Sequence, residues 1–208
     1  MISMRLSMSF VATLALALIA NETAQAANLL DAPVSYSATR NVTVDGKRYT
    51  GPMYHEPGRE RHEQVMLGMQ EIFLLDQNQG AGSLILPALK TMVAFPFPPL
   101  MATLLDPALT QSSEGEETIA GVPATKYRID RTAPDGTRGN GFLWISRRGV
   151  LMKLAGTVTA PGGHRTVIDM VLSGFQEGPQ NPALFVTPPG LARLPAEALA
   201  PLLGLKIQ

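Results

Sequence analysis

The sequence predicts a mainly β (α+β) chain, an antiparallel sheet of many strands with one or two short apolar helices. Three observations lead there. Apolar and β-branched runs recur at short, regular spacing, each ending at a cluster rich in Gly, Pro, Asn or Asp. Helical signals are confined to two brief stretches. Several runs are apolar at consecutive positions, so both faces of the sheet need cover.

In chain order, "VSYSATRNVTV" (Val34–Val44) stops at Asp45-Gly46, a strong hairpin signal. "KRYTGPMYHE" runs to a turn at Pro57-Gly58, and "RERHEQVM" returns. "QEIFLLD" ends at "QNQGAG", after which "SLILPALKTMVAFPF" resumes. "ATKYRID" meets the turn "RTAPDGTRGNG". "FLWI", the turn "SRRG" and "VLMKLAGTVTA" form the clearest hairpin, and "PGGH" leads into "RTVIDMVLSGF". The two helical stretches are "PPLMATLLDPAL" (Pro98–Leu109) and "PAEALAPLLGLK" (Pro195–Lys206), each limited by internal proline.

Pairing the hairpin across "SRRG" puts Leu143, Ile145, Val150, Met152 and Leu154 on one face. Phe142, Trp144 and Leu151 fall on the other, beside Lys153. Cover for both faces can come from a curved sheet with helices in its hollow, or from a plain β-sandwich.

Residues 1–26 have the layout of a cleavable secretory signal. Arg5 precedes the apolar run "FVATLALALIA", and the segment ends in Ala24-Gln25-Ala26. The run is shorter than the roughly 20 residues needed to span a bilayer. The expectation is therefore a leader over 1–26, one domain over 27–208, a periplasmic location and no transmembrane anchor in the mature chain. The chain has no cysteine, so it carries neither a disulfide nor a thiol for a lipid anchor. Seventeen basic and 17 acidic side chains with no basic run argue against nucleic acid as a partner.

Chemistry concentrates in "YHEPGRERHEQ" (Tyr54–Gln64). Pro57 forbids the one-turn helical spacing of a zinc protease. If Pro57-Gly58 is a hairpin turn, His55 and His62 lie on facing strands, while alternation turns Glu56 and Glu63 away from them. A two-histidine metal or hydrolytic site competes here with a solvated strand pair, and the strand pair is the simpler reading. No nucleophile elbow, phosphate loop or dinucleotide fingerprint occurs. The expectation is a protein that is not an enzyme and needs no cofactor.

"EPGRERHE" and the long segment "EIFLLDQNQGAGSLILPALKTMVAFPF" resemble the LolA/LolB lipoprotein-carrier superfamily. Pro57 and Arg61 match the proline and arginine of its basic–Pro–x–x–Phe–Arg–Trp strand. Further on, "GVPATKYRID", "GFLWISRRGVLMKLAG" and "NPALFVTPPGLARLP" resemble later segments of LolA-like domains, in the right order. The resemblance implies an unclosed antiparallel barrel with short lid helices over an apolar cavity. Its implied ligand is a lipid or the acyl chains of a lipoprotein. Phe95, Phe97, Leu100, Met101 and Leu104 would line or cap that cavity, with Trp144 and Met152 as further ligand-binding candidates. Glu56 stands where the carriers have a base, and Glu60 and His62 replace aromatic residues. Those departures place the chain nearer to LolA-like envelope domains than to the lipoprotein carrier, and leave room for an envelope protein partner.

Overall fold

A computed structural model describes residues 31–66, 68–98, 100–101 and 112–195. The expected leader over 1–26, Leu104 and most of both stretches expected to be helical lie outside these residues; Leu100 and Met101 are helical.

Among the described residues, twelve strands make one sheet. They are β1 (Tyr36–Val44), β2 (Lys47–Glu56), β3 (Arg59–Met66), β4 (Met69–Asp76), β5 (Ala81–Leu86) and β6 (Thr91–Pro96). Then come β7 (Ser112–Ile119), β8 (Val122–Thr132), β9 (Arg138–Ser146), β10 (Leu151–Thr159), β11 (Arg165–Glu177) and β12 (Ala192–Leu194). The order across the sheet is β12-β6-β5-β4-β3-β2-β1-β11-β10-β9-β8-β7. Two meanders are thus joined where β1 pairs with β11, and the curved sheet stays open between its edge strands β7 and β12. Among these described strands, only β12, beside β6, pairs in parallel. Among the described residues no helix is long and apolar enough to cross a membrane.

Local chemistry explains the turns. Asp45 and Gly46 both take positive φ, 48° and 81°, as a two-residue turn matched to strand twist requires. The Asp45 carboxylate also accepts the Val167 N–H at 2.8 Å, tying this hairpin to β11. Gly58 at φ 83° follows Pro57, whose ring presets the preceding position. "SLILPALKTMVAFPF" is two strands rather than one, divided by a 3₁₀ turn at Pro87–Leu89 and by Lys90 in the left-handed region.

One face assignment changes. A bulge between Leu151 and Lys153 pairs Leu151 with Ile145 and Lys153 with Trp144. An extra residue in one strand reverses side-chain parity. Leu151 therefore packs with Ile129, Leu143 and Ile145, while Val150 and Met152 pack in the cluster of Trp144, Tyr36 and Leu172.

Gly51 marks a close strand approach. A Cβ there would fall inside contact distance of the Glu63 carbonyl oxygen, which is backbone and has little freedom to yield. Gly51→Ala is expected to cost on the order of 3 kcal/mol of folding stability, as overpacking does. Urea denaturation measures it, and an unchanged midpoint would mean that β3 shifts freely.

Candidate functional site

The inner face of the sheet encloses a hollow of about 540 Å³. Its floor follows from the strand register. Val42, Met170, Leu154 and Leu143 form one cross-strand row through β1, β11, β10 and β9. The next row is Ile168, Gly156, Gly141 and Ile129, and the next pairs Val158 with Gly139. Large side chains thus ring a strip of glycine, and the missing side chains are the hollow. Gly156 also has a backbone reason to be glycine: its Cβ would lie 2.6 Å from the Asn140 carbonyl oxygen. Pro98, Leu100 and Met101 cover the space, with the Leu100 side chain seated over Gly139.

A second cavity of about 140 Å³ adjoins it, lined by Tyr36, Met53, Glu60, His62, Leu75 and Leu151 among others. Arg40, Met101 and Met170 line both spaces.

The histidine–glutamate stretch lies at this junction, and it is interior rather than a solvated rim. His55 has no exposed surface, and Glu60 is 8% exposed. His55 pairs with Glu60 across β2 and β3, and Met53 pairs with His62, so His55, Glu60 and His62 share the inner face. Glu56 and Glu63 fall on the opposite parity, as alternation requires. The carboxylate that joins the imidazoles is Glu60.

Glu60 Oε1 lies 3.2 Å from His55 Nδ1, and Glu60 Oε2 lies 2.9 Å from His62 Nε2. His55 Nε2 is 2.8 Å from the Ala32 carbonyl oxygen. Both neighbours of His55 are acceptors, so both of its nitrogens donate and the ring is an imidazolium. Burial opposes that charge, but the Glu60 hydrogen bond and field, the Ala32 carbonyl and Asp31 together raise the His55 pKa. His62 moves the other way. Burial, with the Arg40 charge, lowers its pKa against the pull of Glu60, so it is a neutral donor. Burial also resists the Glu60 charge, yet the two histidines hold its pKa down at about 2. Tyr36 stacks on His55 at 4.9 Å between centroids, and burial, then Glu60 and Asp31, push its phenol well above the ordinary range.

A second chain of bonds starts at Arg40, which donates to Gln64 Oε1 at 3.0 Å. Gln64 Nε2 in turn donates to Glu71 Oε2 at 2.8 Å. Glu71 is buried, and its Oε1 has no hydrogen-bond partner among the described residues. Among the described residues no three of His, Asp and Glu are placed to hold a metal ion.

Of the ligand-binding candidates, Leu100 and Met101 lie on the lining. Phe95 covers Gly82 on the neighbouring strand, and Phe97 is buried. Trp144 faces away from the hollow, with the Lys126 and Lys153 ammonium groups 5.2 and 4.5 Å from its ring centroid. Met152 is fully buried in packed core. These last four line neither cavity. Arg40, Met170 and the glycine strip were not singled out from the sequence. The signal was there in the strand pattern "GNGF" facing "LAGTV", where small residues interrupt otherwise bulky strands.

No protein-family model matches the chain, and no curated protein does. Solved structures do. An uncharacterised conserved protein from Thermus thermophilus superposes with a TM-score of 0.52 at 13% identity, over 78% of this chain and 91% of that one. MucB superposes with a TM-score of 0.50 at 18% identity, over 81% of this chain and 62% of MucB. The unclosed sheet that the sequence resemblance implied is the one this chain forms. The fold is LolA-like. A LolA superfamily protein from Nitrosomonas europaea aligns over 79% of this chain and 95% of its own, with a TM-score of 0.41 at 9% identity. MucB has also been solved in complex with MucA, from Pseudomonas aeruginosa. The chain spans about three fifths of MucB, at 62% of its length.

Proposed function

We propose that this LolA-like chain is a periplasmic binding protein or carrier for an apolar ligand, a lipid or the acyl part of a lipoprotein, without chemical turnover. The observation that supports this is the 540 Å³ hollow, walled by Val42, Ile129, Leu143, Leu154 and Met170 and roofed by Leu100 and Met101. Its size falls in the range of roughly 300–1,000 Å³ typical of single-ligand sites. Burying a methylene is worth about 0.8 kcal/mol, so an acyl chain gains on the order of 10 kcal/mol before the cost of immobilising it. The polar cluster beside the hollow consumes its own charges, which suits a structural part more than a reactive one.

The test is lipid extraction and mass spectrometry of natively purified chain, followed by titration of the delipidated protein with a fluorescent fatty acid. Co-purifying lipid and saturable uptake are expected. A folded protein that does neither sinks the reading. A second reading, an interaction domain for an envelope protein, draws on the likeness to MucB, which has been solved with MucA. A stoichiometric protein partner in place of lipid would favour it.

A further inference from the structure

We propose that the hollow selects a single-chain amphiphile with an anionic head, a carboxylate or a phosphate, and that Arg40 holds that head. This rests on the apolar-ligand reading above and adds what separates one amphiphile from another.

Among the described residues, Arg40 is the one Arg or Lys on the lining of either cavity, and it stands with Met101 and Met170 where the two spaces meet. On one side is the apolar floor. On the other is the smaller space of about 140 Å³, bordered by Tyr36, His62 and the Glu60 carboxylate, whose two oxygens face His55 and His62, with room for a compact head but not for a second chain. The other ionic residue of the larger lining, Asp135, is exposed in the β8–β9 turn, and its carboxylate already accepts the Thr137 N–H and hydroxyl. The lining of the larger space therefore runs from an acidic outer turn to Arg40 at its inner end.

The guanidinium has five N–H donors in a planar fork. Its hydrogen bond goes to the neutral amide of Gln64. The carboxylate whose field it feels is Glu60, and both Glu60 oxygens are taken, one by His55 and one by His62. Among the described residues no ion pair reaches Arg40. A half-buried cation held by one amide lacks the compensation that an acidic partner supplies. Gly51, opposite Arg40 on β2, puts no side chain between Arg40 and β3. An arriving carboxylate or phosphate would form the forked, charge-assisted pair that Arg40 lacks. A hydroxyl head could not.

Delipidated full chain is titrated by calorimetry near neutral pH with hexadecanoate, hexadecyl phosphate and hexadecanol, each below its aggregation limit. At least one anionic amphiphile is expected to bind about tenfold or more tighter than the alcohol, and the stronger of the two names the head. Arg40→Gln should erase the anion's advantage, so that within the variant the anion and the alcohol bind alike. Equal binding of acid, phosphate and alcohol by the wild type overturns the proposal but leaves the apolar site standing. So does an anion preference that survives in Arg40→Gln. Binding of none of the three overturns this proposal and the reading beneath it together. The wild-type ratio needs no variant, so the outcome is decided even if Arg40→Gln does not fold.

Discussion

Replacing Glu60 by alanine is expected to cost about 3–5 kcal/mol of folding stability, the usual penalty for removing one member of a buried ionic group. Glu60 is the acceptor for both imidazoles, and His55 is wholly buried. Without it the His55 imidazolium keeps the Ala32 carbonyl and the more distant Asp31, 3.6 Å away. His62 loses its acceptor entirely. Urea denaturation reads the loss directly, and a cost under about 1 kcal/mol would mean that the cluster is solvated after all. The same residue sets an acid limb. Glu60 titrates at about 2 in the folded chain against an ordinary 4.5. Its contribution, on the order of 3 kcal/mol, is complete above the unfolded value and vanishes as pH falls through the folded one. The thermal midpoint should therefore climb from about pH 2 to about 4.5, and Glu60→Gln should flatten that climb. His55 adds the opposite slope. Its raised pKa gives stability that is present below the unfolded value of 6.5 and fades as pH rises through the folded one. His62, lowered, loses stability as pH falls below 6.5, and so cancels part of the His55 gain on the acid side of 6.5 and none of it above.

Strand content was legible because local signals were strong. β2 and β3 have the bounds that "KRYTGPMYHE" and "RERHEQVM" suggested, and the Asp45-Gly46 turn formed where such a pair predicts it. β7, "SSEGEETI", was missed because an edge strand is mostly exposed and carries charge instead of alternating apolar residues. β12 is three residues long and has meaning only beside β6. The site was harder to read for two physical reasons. Parity along β10 depends on one bulge, and a single extra residue sends Met152 to the packed cluster and Leu151 to the inner face. A cavity is also written in what is missing: Gly139 and Gly141 sit in the stretch "RTAPDGTRGNG" that reads as a turn, and Gly156 is an unremarked strand position until the strands are paired. The His–Glu stretch shows the same limit. Period-two spacing turned Glu56 and Glu63 away from the histidines, but only the fold shows that the face bearing His55 and Glu60 is the buried one.

Gly139→Leu is expected to empty the hollow of ligand while leaving the sheet intact. At Gly139 a Cβ would meet the Leu100 Cδ atoms at 3.0–3.1 Å, the flexible end of a side chain on the cover and not backbone. Gly141 and Gly156 are unsuitable for this purpose, since a side chain at either would strike the facing strand. Position 139 therefore separates filling from misfolding. The stability cost should stay near about 1 kcal/mol, because the ladder from Gly139 to Val158 and Arg131 is untouched. Four added carbons would occupy space that three or four ligand methylenes need. At about 0.8 kcal/mol each, that amounts to a loss of roughly a hundredfold in affinity for a long acyl chain. The loss should shrink as the chain is shortened, since a short ligand has less to give up. A uniform loss at every chain length would instead point to a cover that no longer opens, with Leu100 wedged upward by the new side chain. Undiminished uptake by a well-folded Gly139→Leu protein would move the binding site off this floor.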